Sequence, residues 1–121
     1  MNMQHNNEIK LEKQGEVMIF DIRGDLTSFS ETSLNEAYQK VNDQDARRIL
    51  LKIEEDAYIN SGGIALLIQL IAQINRNNQF VVITGISGHF KKIFNMVGIT
   101  KYAKIYDKME VALEVLVAES S

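Results

Sequence analysis

Between residues 8 and 118 the apolar residues switch repeatedly between two periods, and no proline or linker-like tract interrupts them. Strand-like runs fall at 8–12 (EIKLE), 17–22 (VMIFDI), 48–53 (RILLKI), 80–84 (FVVIT) and 104–106 (KIY). Helical spacing fills the gaps: Leu34, Ala37, Tyr38 and Val41; an apolar stretch from about Gly62 to Arg76; Phe90, Ile93, Phe94 and Val97; and Met109, Ala112, Leu113 and Leu116. Gln14-Gly15 separates the first two strands and predicts an opening hairpin, whose first strand alternates as an edge strand does. The 80–84 run is apolar throughout, as in a strand covered on both faces. Strand-helix-strand units after a hairpin predict one α/β domain with a mixed central β-sheet, four α-helices and parallel later strands.

With 121 residues, a single core must serve the whole chain. Residues 8–118 form the expected domain, 1–7 a polar leader and 119–121 a frayed tail. The leader lacks the apolar core of a signal peptide, and no apolar run is long enough to span a bilayer. A formal charge of −3 gives no basic field for nucleic acid or anionic lipid. There is no cysteine, so disulfides and thiolate chemistry are excluded, as suits a reducing cytoplasm. The two histidines, His5 and His89, form no metal-binding spacing and no pairing that would activate a serine. No cofactor, metal or catalytic residue is expected.

Local signals place the helix ends. Ser30 suits the first helix's N-cap, with Phe29 and Leu34 spaced as a hydrophobic staple. Ser87 suits the third helix's cap and Gly98 its terminator, and Asp107 and Glu110 open the last helix in capping-box spacing.

The informative stretch is Ala57 to Leu70, AYINSGGIALLIQL, where a polar loop turns into the second helix. Asn60 or Ser61 can cap that helix, and Gly62 and Gly63 permit close backbone approach. First-turn N–H groups and the helix dipole favour negative charge, so a phosphate on Ser61 is compatible with the helix. Behind it, Ile64, Leu67, Ile68, Ile71 and Ile74 make the expected core stripe, and Leu66 and Leu70 widen the apolar arc to roughly 200°. An arc that wide extends past one sheet, which makes Leu66 and Leu70 candidate docking residues beside a polar switch. A neighbouring helix covering them is the alternative.

The segments ILLKIEEDAYINSGGIALLIQL, Gly24-Asp25-Leu26 and VVITGISGHFKKIFNMVGI resemble the STAS domain of bacterial anti-sigma factor antagonists, and the resemblance covers nearly the whole chain. It implies that Ser61 is the residue phosphorylated by a partner anti-sigma factor/serine kinase. Unphosphorylated antagonist then binds the anti-sigma factor and frees sigma, phosphorylation breaks the complex, and a PP2C-type phosphatase restores it. The family motif Asp-Ser-Ser/Thr-Gly stands here as Asn60-Ser61-Gly62-Gly63, and the family's Gly-Glu-Leu-Asp loop as Gly24-Asp25-Leu26-Thr27, so two family carboxylates are neutral. The expected partner surface comprises Asp25, Thr27, Ser28, Asn60, Ser61, Gly62, Gly63, Leu66 and Leu70. A constitutive STAS scaffold or adaptor, in a signalling assembly or with a transporter, is the second reading.

Overall fold

The structure, a computed structural model, describes residues 8–118; the expected leader and tail lie outside the described residues. Strands β1 (Glu8–Gln14), β2 (Val17–Arg23), β3 (Arg48–Ile53), β4 (Phe80–Thr84) and β5 (Lys104–Tyr106) alternate with helices α1 (Glu31–Asp43), α2 (Ser61–Arg76), α3 (Gly88–Met96) and α4 (Met109–Ala118). Short 3-10 turns at Ser28–Ser30 and Ile99–Lys101 lead into α1 and β5. All five strands form one sheet in the order β1-β2-β3-β4-β5. β1 pairs antiparallel with β2, and the other three pairings are parallel. The expected mixed sheet and four helices are therefore both present.

Each parallel step moves one strand in the same direction, so crossovers of one hand put α1, α2 and α3 on one face. There Phe20, Ile22, Leu51 and Ile53 of the sheet meet Leu34, Leu67, Ile71, Ile74 and Phe94 of the helices in a continuous core. Val17, Ile19, Leu50 and Val82 point the other way, where Ala112 and Leu116 of α4 cover them. Double coverage explains why the central strands are apolar at successive positions instead of alternating. Burial of a side chain such as Phe20 or Phe94, both fully enclosed, stabilises the fold by roughly 1.5–3 kcal/mol.

The ends of α3 match their sequence signals. Ser87 Oγ accepts from Phe90 N at 3.3 Å, and Gly98 takes the left-handed conformation (φ 87°) after the C-cap Val97. The start of α1 differs from expectation. Thr27, not Ser30, is the capping residue: Thr27 Oγ1 accepts from Phe29 N at 3.1 Å, and Ser30 Oγ accepts in return from Thr27 N at 3.1 Å. The 3-10 turn so capped runs directly into α1, and Ser30 makes no side-chain cap of its own for that helix. Phe29 is 79% exposed, so no staple to Leu34 forms.

Helix α2 is turned relative to the expected stripe. Its buried residues are Gly63, Leu67, Leu70, Ile71 and Ile74, whereas Ile68 is 41% exposed and Ile64 only partly covered. Leu70, 4% exposed, belongs to the same core as Leu34 of α1, and the neighbouring helix accounts for its burial. The expectation that Leu70 faces a partner is thus overturned. Leu66 is half-buried against the core and keeps an outer edge in solvent.

Candidate functional site

Two loops at the C-terminal ends of β2 and β3 build the site, and a short stretch of ladder holds them together. Leu26 N donates to Tyr58 O at 2.9 Å and Asn60 N to Leu26 O at 3.1 Å, forming an isolated parallel bridge between Leu26 and Ile59. Side chains reinforce it: Asp25 Oδ1 accepts from Tyr58 N at 3.0 Å, and Glu54 Oε1 accepts from Gly24 N at 2.9 Å. Leu26, Ala57 and Ile59 are buried beneath. Backbone polar groups of the two loops satisfy one another, so the loops are held as a unit.

The start of α2 closes on this unit. A Cβ on Gly63 would lie 2.2 Å from Leu26 O and 2.6 Å from its carbonyl carbon, a position only glycine can occupy there. Gly62 faces Ser28 less tightly, with a Cβ reaching 3.0 Å from Ser28 N. Asn60 is the N-cap: its backbone is extended, and its Oδ1 accepts from Gly63 N at 2.9 Å. The cap is therefore Asn60, and Ser61 is the first residue of the helix.

That division of labour decides the chemistry open to Ser61. The residue is exposed, and its hydroxyl has no hydrogen-bond partner among the described residues. It stands where the first-turn N–H groups and the helix dipole present positive potential. Both neutral replacements of family carboxylates, Thr27 and Asn60, prove to be N-caps. The oxygen acceptor that an aspartate would supply is kept and only the charge is removed. Asn60→Ala is expected to cost about 1 kcal/mol through loss of the cap, and Asn60→Asp to leave stability within a few tenths, as read by urea denaturation.

Among the expected surface residues, Ser28 and Ser61 are exposed, while Asp25, Asn60, Gly62 and Leu66 are half-buried at the rim. Thr27 and Gly63 are buried and shape the site from beneath. Two exposed aromatic rings join these residues: Phe29, which the sequence placed in a staple, and Tyr58, which it did not single out. Phe29 follows Ser28 and is 79% exposed; Tyr58, 61% exposed, sets its ring edge-on to Phe90 of α3 at 6.5 Å. A phenylalanine between two serines in a polar loop was the available signal for Phe29. His89 packs edge-on against Phe90 at 5.0 Å. Arg23, close by, donates to Asp21 at 3.1 Å; this hydrogen bond and the adjacent charge raise its pKa further, so it stays a cation. Among the described residues no cluster of three or more His, Cys, Asp or Glu side chains is placed to hold a metal ion, and no helix is long and apolar enough to cross a membrane.

The family profile of the STAS domain matches residues 8–112, from the first strand into the last helix. The chain belongs to the STAS domain family. An anti-sigma-B factor antagonist of Staphylococcus aureus (strain NCTC 8325 / PS 47) is 22% identical over 106 residues, covering 88% of this chain and 98% of that protein. The crystal structure of an anti-sigma factor antagonist from Mycobacterium paratuberculosis superposes with a TM-score of 0.78 at 12% identity, covering 96% of this chain and 98% of the other. The Thermotoga maritima protein TM1081 gives a TM-score of 0.75 at 14% identity, over 89% and 93% of the two chains. At such low identities the two structures attest the STAS fold itself. The residues that the fold makes indispensable, such as Gly63 against Leu26, sit inside the matched region.

Proposed function

We propose that this STAS domain is an anti-sigma factor antagonist that docks on an anti-sigma factor/serine kinase through the surface around Ser61, and that phosphorylation of Ser61 releases it. The observation that carries the reading is the free, exposed Ser61 hydroxyl at the first position of α2, with the capping duty held by Asn60. A serine that capped the helix would have to give up a structural hydrogen bond to be phosphorylated. This one does not. The kinship with the Staphylococcus aureus antagonist supports the same role.

The phosphate acts through charge. A phosphoserine adds about −1.5 to −2 at pH 7. The helix start tolerates it, whereas a partner surface fitted to an uncharged hydroxyl does not, because its own groups would be desolvated against an unpaired dianion. A PP2C-type phosphatase restores the docking form. The domain acts in the cytoplasm, with no catalytic step of its own.

Incubation with an anti-sigma factor kinase and ATP is expected to add one phosphate to the intact mass, and Ser61→Ala to add none while still binding the kinase. Ser61→Asp is expected to lower affinity at least tenfold without loss of fold. Tight binding with no gain of mass would favour the constitutive scaffold instead.

A further inference from the structure

The two ends of the sheet present opposite charge. At the N-terminal ends of β4 and β5 lies an open groove of about 430 Å³, closed on one side by the last turns of α4. Its charged lining residues are Arg47, Lys101 and Lys104, with no carboxylate among them, and its rings are Phe80, Tyr102 and Tyr106. Lys101 and Lys104 are exposed and make no ion pair among the described residues. Arg47 donates to Asn78 O at 3.2 Å, which holds its guanidinium at the groove.

At the C-terminal end of β3 the following loop carries Glu54, Glu55 and Asp56 in succession, all exposed, and then Tyr58, 61% exposed. Among the described residues, only Glu54 of these carboxylates has an internal partner, the N–H of Gly24. The loop thus offers two unengaged carboxylates and an aromatic ring on a backbone tied down at Asp25 and Leu26. Three cations among aromatic rings form the matching recess. In a chain whose net charge is −3, a cationic recess free of carboxylates stands against the overall sign and marks a place where an acidic segment is favoured over solvent.

We propose that the groove receives the Glu54–Tyr58 loop of a second copy of this chain. β3, β4 and β5 are parallel, so the groove and the loop lie at opposite ends of the sheet. A copy that inserts its loop leaves its own groove open, and a copy whose groove is filled leaves its own loop free. The contact is therefore heterologous and head-to-tail: it does not close on a two-fold axis, and assemblies lengthen with concentration. Its charged pairs lie at the surface, so salt controls it. The inference is independent of whether Ser61 is phosphorylated.

The test is sedimentation of the full chain across a concentration series at about 20 mM and about 500 mM salt, where screening lengths differ severalfold. The expected result is a weight-average mass that climbs past the dimer with concentration at low salt and returns to monomer at high salt. Lys101→Glu with Lys104→Glu, and separately Glu55→Lys with Asp56→Lys, are each expected to stay monomeric with unchanged circular dichroism. Mixed in equal amounts, the two double variants regain growth at low salt, since each reversed end now meets a complementary one. Unfolded variants could not produce that rescue. A wild-type chain that remains monomeric at low salt overturns the proposal, as does association that survives high salt or either double variant, or a mixture that stays monomeric.

Discussion

Gly63→Ala is expected to destabilise the fold by more than about 3 kcal/mol, lowering the thermal midpoint by roughly 10 °C or more. Helix propensity alone predicts the opposite sign, because alanine is favoured over glycine within a helix by about 1 kcal/mol. The steric term wins because the atom in the way is Leu26 O, 2.2 Å from the added Cβ. That carbonyl cannot swing aside cheaply, since it accepts from Asn60 N and its residue donates to Tyr58 O. Relief requires α2 to retreat from the sheet, opening space around Leu26 and Leu67, both fully buried. Gly62→Ala is the internal control. Its new methyl meets Ser28 N and Cβ at 3.0–3.1 Å and Asn60 Oδ1 at 3.3 Å, contacts that shifts of a few tenths of an ångström relieve, and the gain in helix propensity offsets them, so stability should stay within about 1 kcal/mol of wild type. Urea denaturation of the pair reads the difference directly. Equal effects from the two substitutions would show that the interlocked loops do not approach α2 as closely as 2.2 Å implies.

The same contact explains what was legible in the sequence and what was not. Strand and helix positions come from apolar periods of 2 and 3.6, which are local, and β2, β3, β4 and β5 fall within a residue of where their runs predicted. Rotation of α2 about its axis is not local. It is set by the approach of Gly63 to Leu26 and by the packing of α1, which turn the buried arc from Ile64 and Ile68 toward Gly63 and Leu70. The apolar run of α2 is too dense for its pattern to choose between those faces, since either arc is made of isoleucine, leucine and glycine. Capping shows the same limit. Thr27 and Ser30 are both good caps, as are Asn60 and Ser61, and the choice within each pair depends on where a partner loop holds the backbone. Phe29 had the spacing of a staple, but the 3-10 turn capped by Thr27 points its ring outward.

That outward ring gives the largest expected effect on binding. Phe29→Ala is expected to weaken docking on an anti-sigma factor about 30- to 100-fold, or about 2–3 kcal/mol, and Phe29→Asp to weaken it further. Interfaces draw most of their affinity from a few aromatic or arginine anchors that become fully desolvated, surrounded by contacts worth little individually. Phe29, 79% exposed on a loop braced by a capping box, is preorganised for such a role and loses little conformational freedom on binding. The thermal midpoint should stay unchanged, because the ring buries so little within the monomer. Leu70→Asp supplies the contrast: it too would abolish binding, but by placing a charge in the core, and a collapsed thermal midpoint would reveal it. Titration calorimetry of Phe29→Ala beside Ser61→Asp then locates the interface. Loss in both centres it on the loops, between Phe29 and the start of α2. Loss in Ser61→Asp with wild-type affinity in Phe29→Ala would move the centre along α2 toward Leu66 and Ile68, which leave apolar surface in solvent on that helix.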